Sequence, residues 1–337
     1  MTIQHGLDEH PFHVLALSGG GHRGLYTAKV LADIEEEIQA PIATKFDLIA
    51  GTSIGGILAL ALAMEIPAQQ MVDLFVEHGE QIFRRRWSFA GIVRAQYSAN
   101  HLREQLESAE VFGNRLLGAC KRPVMVPSIN YGTGEPIVFK TAHHPDFKRD
   151  HKHRLVDIAL ATSAAPAYFP RHTFNGGQYV DGGLYANSPG LLALHEAQCF
   201  FLKEEQDVRL LSIGTMSSKF TVDPRRNRQG GTYDWGGWKP TNMPKRLFGL
   251  SISAQEVLTD KMLRHRLKER YWRIDDDLFD ERARAVALDK ADRYAREALL
   301  GAAVERSKQC ISDPRFVAFL EHSPSKPAFF HGEHAIL

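Results

Sequence analysis

The sequence predicts a three-layer α/β/α fold with a mainly parallel central sheet and a helical C-terminal extension. Three observations predict it. Residues 12–17 (FHVLAL) and 46–50 (FDLIA) are short apolar runs, the profile of buried parallel strands. Each leads into a glycine-rich turn and then a helical pattern, which marks βαβ units. The chain has 337 residues, 44 % hydrophobic and 24 % charged, enough for one large α/β domain or a domain with an annex.

The elements follow in order. Residues 24–38 read as a helix, because Leu25, Ala28, Leu31, Ala32, Glu35 and Ile38 keep a helical period. The second strand and its turn lead into a helix at 57–64, and 70–83 is amphipathic. A further helix at 101–107 has Asn100 as its expected cap. Residues 123–130 (PVMVPSIN) and 136–141 (PIVFKT) read as strands joined by a turn at 131–134. A helix at 155–163 precedes Tyr179-Val180, which enters the turn Asp181-Gly182-Gly183. A helix at 189–200 and a buried strand at 208–213 (VRLLSI) follow. Residues 217–246 are rich in Gly, Pro, Arg and Trp, the profile of a long lid, binding or disordered loop. A charged helix at 253–270, a strand at 271–274 and a helix at 289–310 end the chain's regular structure. Residues 11–200 are read as the domain that carries the chemistry, and 201–337 as a region completing the fold with a regulatory role open to it.

Composition excludes several classes. The balance of 41 Lys and Arg against 40 Asp and Glu lacks the cationic surplus of a DNA- or RNA-polymer binder, although a local basic patch stays open. Cys120, Cys199 and Cys310 form no C-x-x-C pair, so neither a zinc site nor a disulfide framework is expected, and the reduced cytoplasm is the default. Residues 1–10 lack the basic start and apolar stretch of a signal peptide. Residues 48–64 are uncharged but short against the roughly 20 residues of a span. No acidic cluster has metal-ligand spacing, so no metal is expected.

Two turns carry chemistry. Gly51-Thr52-Ser53-Ile54-Gly55 is G-x-S-x-G between a strand and a helix, the pattern of a nucleophile elbow. Flanking glycines let the chain turn sharply and expose the Ser53 oxygen at a helix N-terminus. The other turn, with Gly19, Gly21 and Gly24, formally fits G-x-G-x-x-G. A dinucleotide site would want an acid at the end of the next strand, where this chain has the serine turn. The loop reads better as an oxyanion hole, with N–H groups of Gly20 and Gly21 as donors and Arg23 fixing the loop. A serine nucleophile needs a base, and Asp181, followed by Gly182 and Gly183, is the candidate. His195 makes a Ser–Asp–His order available, but it falls inside a predicted helix and reads as an ordinary surface or core histidine.

Together with the run from Ala161 through Thr162, Ser163 and Pro166 to Pro170, these motifs resemble the patatin-like phospholipase family over roughly residues 11–200. The resemblance implies a Ser–Asp dyad without histidine, Ser53 being the nucleophile and Asp181 the base. It also implies an oxyanion hole from Gly20, Gly21 and Arg23. Ser18 departs from the Asp that many members carry before the glycines. The stretches 14–21, 51–63 and 178–193 are also similar to the cyclic-dinucleotide-activated effectors of bacterial anti-phage signalling. That resemblance implies activation by cyclic GMP-AMP, no catalytic cofactor, and attack on membrane phospholipids at the inner face of the cell membrane.

Arg84-Arg85-Arg86-Trp87-Ser88-Phe89 mixes cations and aromatics, which suits anionic headgroups, or a solvated helix end. Arg225, Arg226 and Arg228, with Tyr233, Trp235 and Trp238, offer phosphate-binding cations and flat rings for bases. The same stretch also reads as an exposed lid, and the two roles are compatible. A constitutive lipid hydrolase, a regulated hydrolase and a non-catalytic nucleotide-binding module remain distinct readings, and a homo-oligomer stays open.

Overall fold

A computed structural model describes residues 11–86, 94–216, 235, 243–276 and 286–336. Its centre is an eight-stranded sheet: β1 (Phe12–Leu17), β2 (Leu48–Gly51), β3 (Val124–Asn130), β4 (Glu135–Lys140), β5 (His172–Phe174), β6 (Gly177–Asp181), β7 (Val208–Ile213) and β8 (Tyr271–Ile274). The spatial order is β5-β6-β3-β2-β1-β7-β8, with β4 also paired to β3. β3, β2, β1, β7 and β8 run parallel to one another. β4, β5 and β6 make an antiparallel edge.

The apolar runs are explained by burial on both faces. In β1, Leu15 and Leu17 join one core while Phe12, Val14 and Ala16 join the other. β7 divides likewise, Leu211 and Ile213 against Val208 and Leu210. The larger core is covered by α1 (Gly24–Ile38), α2 (Ile54–Ala63), α3 (Ala68–Ile82), α4 (Asn100–Leu106) and α5 (Leu155–Thr162). The short α6 (Gly183–Ala186), then α7 (Gly190–Cys199) and α8 (Met243–Leu267), lie along the opposite face. α9 (Arg293–Ile311) packs on α1, and α10 (Pro314–Leu320) packs on α9.

Strands 12–17, 208–213 and 271–274 lie where the sequence predicts them. Other boundaries move. β2 starts at Leu48, and Phe46 is instead buried after a short 3-10 turn. α2 begins directly after Ser53 rather than at residue 57. Asn100 does not cap α4: it is that helix's first residue, and its N–H donates to Ser98 Oγ at 3.2 Å. α9 starts at Arg293, because Asp292 caps it by accepting the Ala295 N–H at 2.9 Å. α8 begins at Met243, ten residues before the predicted start; Pro244 is tolerated in a first turn. No described helix is long and apolar enough to cross a membrane.

Candidate active site

The parallel strands end on one edge, and the turns that follow β1, β2 and β7 meet there. β1 is where the sheet reverses direction of growth, to β2 on one side and β7 on the other, the position where open α/β sheets form their clefts.

Ser53 sits between β2 and α2 with φ 56° and ψ −126°, a left-handed conformation strained for a residue with a Cβ. The turn is this tight because Gly51 and Gly55 touch: a Cβ on Gly51 would lie 2.0 Å from the Gly55 carbonyl oxygen. A Cβ on Gly55 would lie 2.4 Å from the Leu17 carbonyl oxygen. The Ser53 N–H donates to Thr162 Oγ1 at 2.9 Å, and Thr162 donates in turn to the Pro127 carbonyl at 2.6 Å.

Ser53 Oγ donates to Asp181 Oδ2 at 2.7 Å. Asp181 ends β6, opposite Ser128 of β3. Its other oxygen accepts the Gly183 N–H at 2.7 Å. Gly182 is pressed against Pro127, whose carbonyl oxygen would be 2.4 Å from an added Cβ. Asp181 is 1 % exposed. Burial pushes its carboxyl up to about 7, against the opposing pull of the Ser53 and Gly183 hydrogen bonds. Near neutral pH the Asp181 carboxyl is therefore poised between its ionised and protonated forms.

The loop after β1 lies beside them. Gly19, Gly20 and Gly21 turn past Ser53, and Gly24 starts α1 against Ile54, whose Cγ1 would be 2.3 Å from an added Cβ. Gly21 has φ 59°, and a Cβ there would strike the Leu288 carbonyl oxygen at 2.2 Å. That oxygen accepts the His22 N–H at 2.9 Å. The Gly20 and Gly21 N–H groups have no acceptor among the described residues. Both residues line the same cavity as Ser53 and Asp181. The Arg23 side chain is 5 % exposed, and its Nη1 donates to the Met216 carbonyl at 3.2 Å. It ties the loop after β1 to the loop after β7.

The cavity is walled by apolar side chains, Ile57, Phe75, Ile82 and Leu102 among them. A separate cluster of Tyr97, Tyr168, Phe248 and Ile252 lies over it, with Leu288 packed against that cluster. This roof has a polar tie. Asp289 Oδ2 accepts from Tyr97 Oη at 2.8 Å and from Lys245 Nζ at 3.2 Å.

Several predicted residues fall elsewhere. His195 is exposed on α7, with Nδ1 3.4 Å from Cys199 Sγ, and takes no part in the site. Arg225, Arg226, Arg228, Tyr233 and Trp238 lie outside the described residues, as do Trp87, Ser88 and Phe89. Trp235 is described only as partly buried, and Arg84, Arg85 and Arg86 are exposed. The sequence reading missed Thr162 as the partner of the Ser53 N–H, and missed Asn187 and Thr215, both held against Gly19.

The family model described as patatin-like phospholipase matches residues 15–194. A cGAMP-activated phospholipase of Pseudomonas aeruginosa is 44 % identical over 331 residues, covering 95 % of each chain. A cGAMP-activated phospholipase of Escherichia coli is 36 % identical, covering 86 % of this chain and 87 % of its own. A cUMP-AMP-activated phospholipase of Escherichia coli is 29 % identical over 60 % of this chain and 63 % of its own. With a family match across more than half its length and relatives this similar from end to end, the chain belongs to the patatin-like phospholipase family.

Proposed function

We propose that this protein is a serine acyl hydrolase that releases ester-linked fatty acids from membrane glycerophospholipids and is switched on by a cyclic dinucleotide. The observation that carries the hydrolase is the 2.7 Å bond from Ser53 Oγ to Asp181 at the base of an apolar cavity. Asp181 takes the Ser53 proton as Oγ attacks the ester carbonyl carbon. Negative charge develops on the carbonyl oxygen, toward which the N–H groups of Gly20 and Gly21, without an acceptor among the described residues, are available. The ester C–O bond breaks, and the leaving alcohol of the lysolipid takes the proton from Asp181. Water, deprotonated by Asp181, then attacks the acyl carbonyl; the bond to Ser53 Oγ breaks, and Oγ takes the proton back from Asp181. The apolar walls suit the acyl chain.

Regulation is supported by the names of relatives that match nearly the whole chain. Cyclic GMP-AMP is our choice of activator because the two relatives described above with the higher identities are named for it. Hydrolysis of the cell's own bilayer on that signal, at the inner face of the membrane, would make the protein an anti-phage effector.

The test is release of a fluorogenic fatty acid from phospholipid vesicles by the purified protein, with cyclic GMP-AMP, with cUMP-AMP and with neither. Hydrolysis is expected with cyclic GMP-AMP and should vanish in Ser53→Ala. Full activity of Ser53→Ala would overturn the mechanism. Equal rates without nucleotide would leave a constitutive hydrolase.

A further inference from the structure

The inference rests on the reading of the Gly20 N–H as an oxyanion donor. A run of three glycines has little side-chain restraint, so its peptide planes turn over easily. A turned plane would point a carbonyl, not an N–H, at the developing oxyanion. Something must hold the plane, and the structure shows what does.

The Gly19 carbonyl and the Gly20 N–H belong to one peptide unit. Described peptides are all trans, so these two groups point in opposite directions. Gripping the carbonyl from behind therefore aims the N–H forward. Two buried donors grip it. Asn187 Nδ2 donates to the Gly19 oxygen at 3.2 Å, and Thr215 Oγ1 donates to it at 3.1 Å. The Gly19 N–H donates back to the Asn187 carbonyl at 3.0 Å. Thr215 also packs directly behind Gly20, where a Cβ would lie 2.2 Å from Thr215 Oγ1. Asn187 is 1 % exposed and Thr215 is 0 % exposed, so water does not compete for these bonds.

Asn187 is itself held. Its Nδ2 donates its second hydrogen to Glu256 Oε1 at 2.8 Å, which uses both amide donors. Its N–H donates to Gln255 Oε1 at 3.1 Å. Gln255 and Glu256 belong to α8, the helix that sends Phe248 and Ile252 to the cavity wall.

We propose that Asn187 and Thr215 are positioning residues that orient the Gly19–Gly20 peptide for oxyanion binding, and that Glu256 makes this orientation depend on the seating of α8. Neither residue needs to touch the substrate's reacting atoms. A shift of α8 would loosen the oxyanion donor and the cavity wall together, which gives regulation of this site a physical route.

The test compares Thr215→Val, which keeps shape and loses the donor, with Thr215→Ser, which keeps the donor. Phospholipid hydrolysis is measured with activator present, alongside inhibition by a trifluoromethyl ketone lipid analogue, whose serine adduct carries an oxyanion. Thr215→Val should lower kcat by about tenfold with KM changed by less than about twofold, and weaken the ketone by the same factor as kcat. Thr215→Ser should recover most of both, and Asn187→Ala combined with Thr215→Val should lose about a hundredfold. A rise in KM at unchanged kcat, or unchanged ketone inhibition, would overturn the proposal and leave a packing role. If thermal melting shows Thr215→Val unfolded, Asn187→Ser, which loses the amide donor, and Glu256→Met, which loses the acceptor, carry the same expectation. Ser53→Ala is run in parallel. Activity there defeats the acyl-enzyme reading itself, whereas an inactive Ser53→Ala beside an unimpaired Thr215→Val defeats only this inference.

Discussion

Ser53 and Asp181 are level with each other because both are measured from the same strand pair. Ala50 of β2 stands beside Met125 of β3. Three residues further along each strand direction come Ser53 and Ser128, and Ser128 faces Asp181. β6 runs back along the end of β3 for only three paired residues, from Tyr179 to Asp181, and stops at the serine's height. Asp181→Asn keeps this register and the Gly183 contact but removes the proposed base. We expect kcat to fall at least about a thousandfold with the fold retained, read from hydrolysis rates and circular dichroism.

The pH dependence follows from the buried carboxyl. The proposed base, Asp181, must be ionised to act, and burial has raised it to about 7. Activity should therefore rise through pH 6 to 8 and level off above, with the rising limb set by Asp181. A kcat/KM profile that is flat over this range would contradict the assignment.

The same shift has a stability consequence of opposite sign. A carboxyl raised in the fold is harder to ionise there than in the unfolded chain. The folded state thus loses stability as pH climbs from about 4, and the loss is complete above about 7, amounting to about 4 kcal/mol at most. Asp181→Asn escapes this cost. Its melting temperature should exceed that of the unsubstituted protein at pH 8 and approach it at pH 5.

Backbone strain at Ser53 is separately measurable. Its φ of 56° suits glycine. Ser53→Gly and Ser53→Ala should both be inactive, yet the glycine variant should be more stable by about 1 kcal/mol in denaturant unfolding. Equal midpoints would mean that the turn carries no strain.

The polar tie over the cavity predicts a gain of basal activity. Asp289 joins Tyr97 to Lys245, and so fastens Leu288 above the cavity. Asp289→Ala should raise hydrolysis in the absence of activator by about threefold to tenfold, since a part-buried charged hydrogen bond contributes roughly 1 kcal/mol. An unchanged basal rate would show that the roof is not limiting.

Much of this arrangement was readable before any coordinates. Parallel strands declare themselves as apolar runs, and a serine between two closely spaced glycines after such a run declares an elbow. Asp181 was readable as a candidate base only from a common D-G-G turn, and it took the resemblance to imply a dyad without histidine. The supporting contacts were not readable, because Thr162, Asn187, Thr215 and Glu256 come from four distant segments joined only by the fold. The start of α8 was hidden for another reason. Its buried stripe, Phe248, Ile252, Glu256, Thr259, Leu263 and Leu267, keeps a helical spacing but includes two polar residues, and Pro244 and Gly249 look like breakers. Of the antiparallel edge, β4 was readable as a strand joined to β3 by a turn, whereas β5 was hidden, since it is only three residues long and its partner is chosen by tertiary pairing.

β1 pairs with β7 along its whole length, from Phe12 beside Val208 to Leu17 beside Ile213. A chain cut near residue 200 would leave β1 as a bare, apolar edge strand with six unmatched residues, a template for aggregation. The hydrolase segment is therefore not a portable cassette. Grafts and truncations that aim to separate it from the rest of the chain should carry β7 and β8 along, or be made as two fragments expressed together.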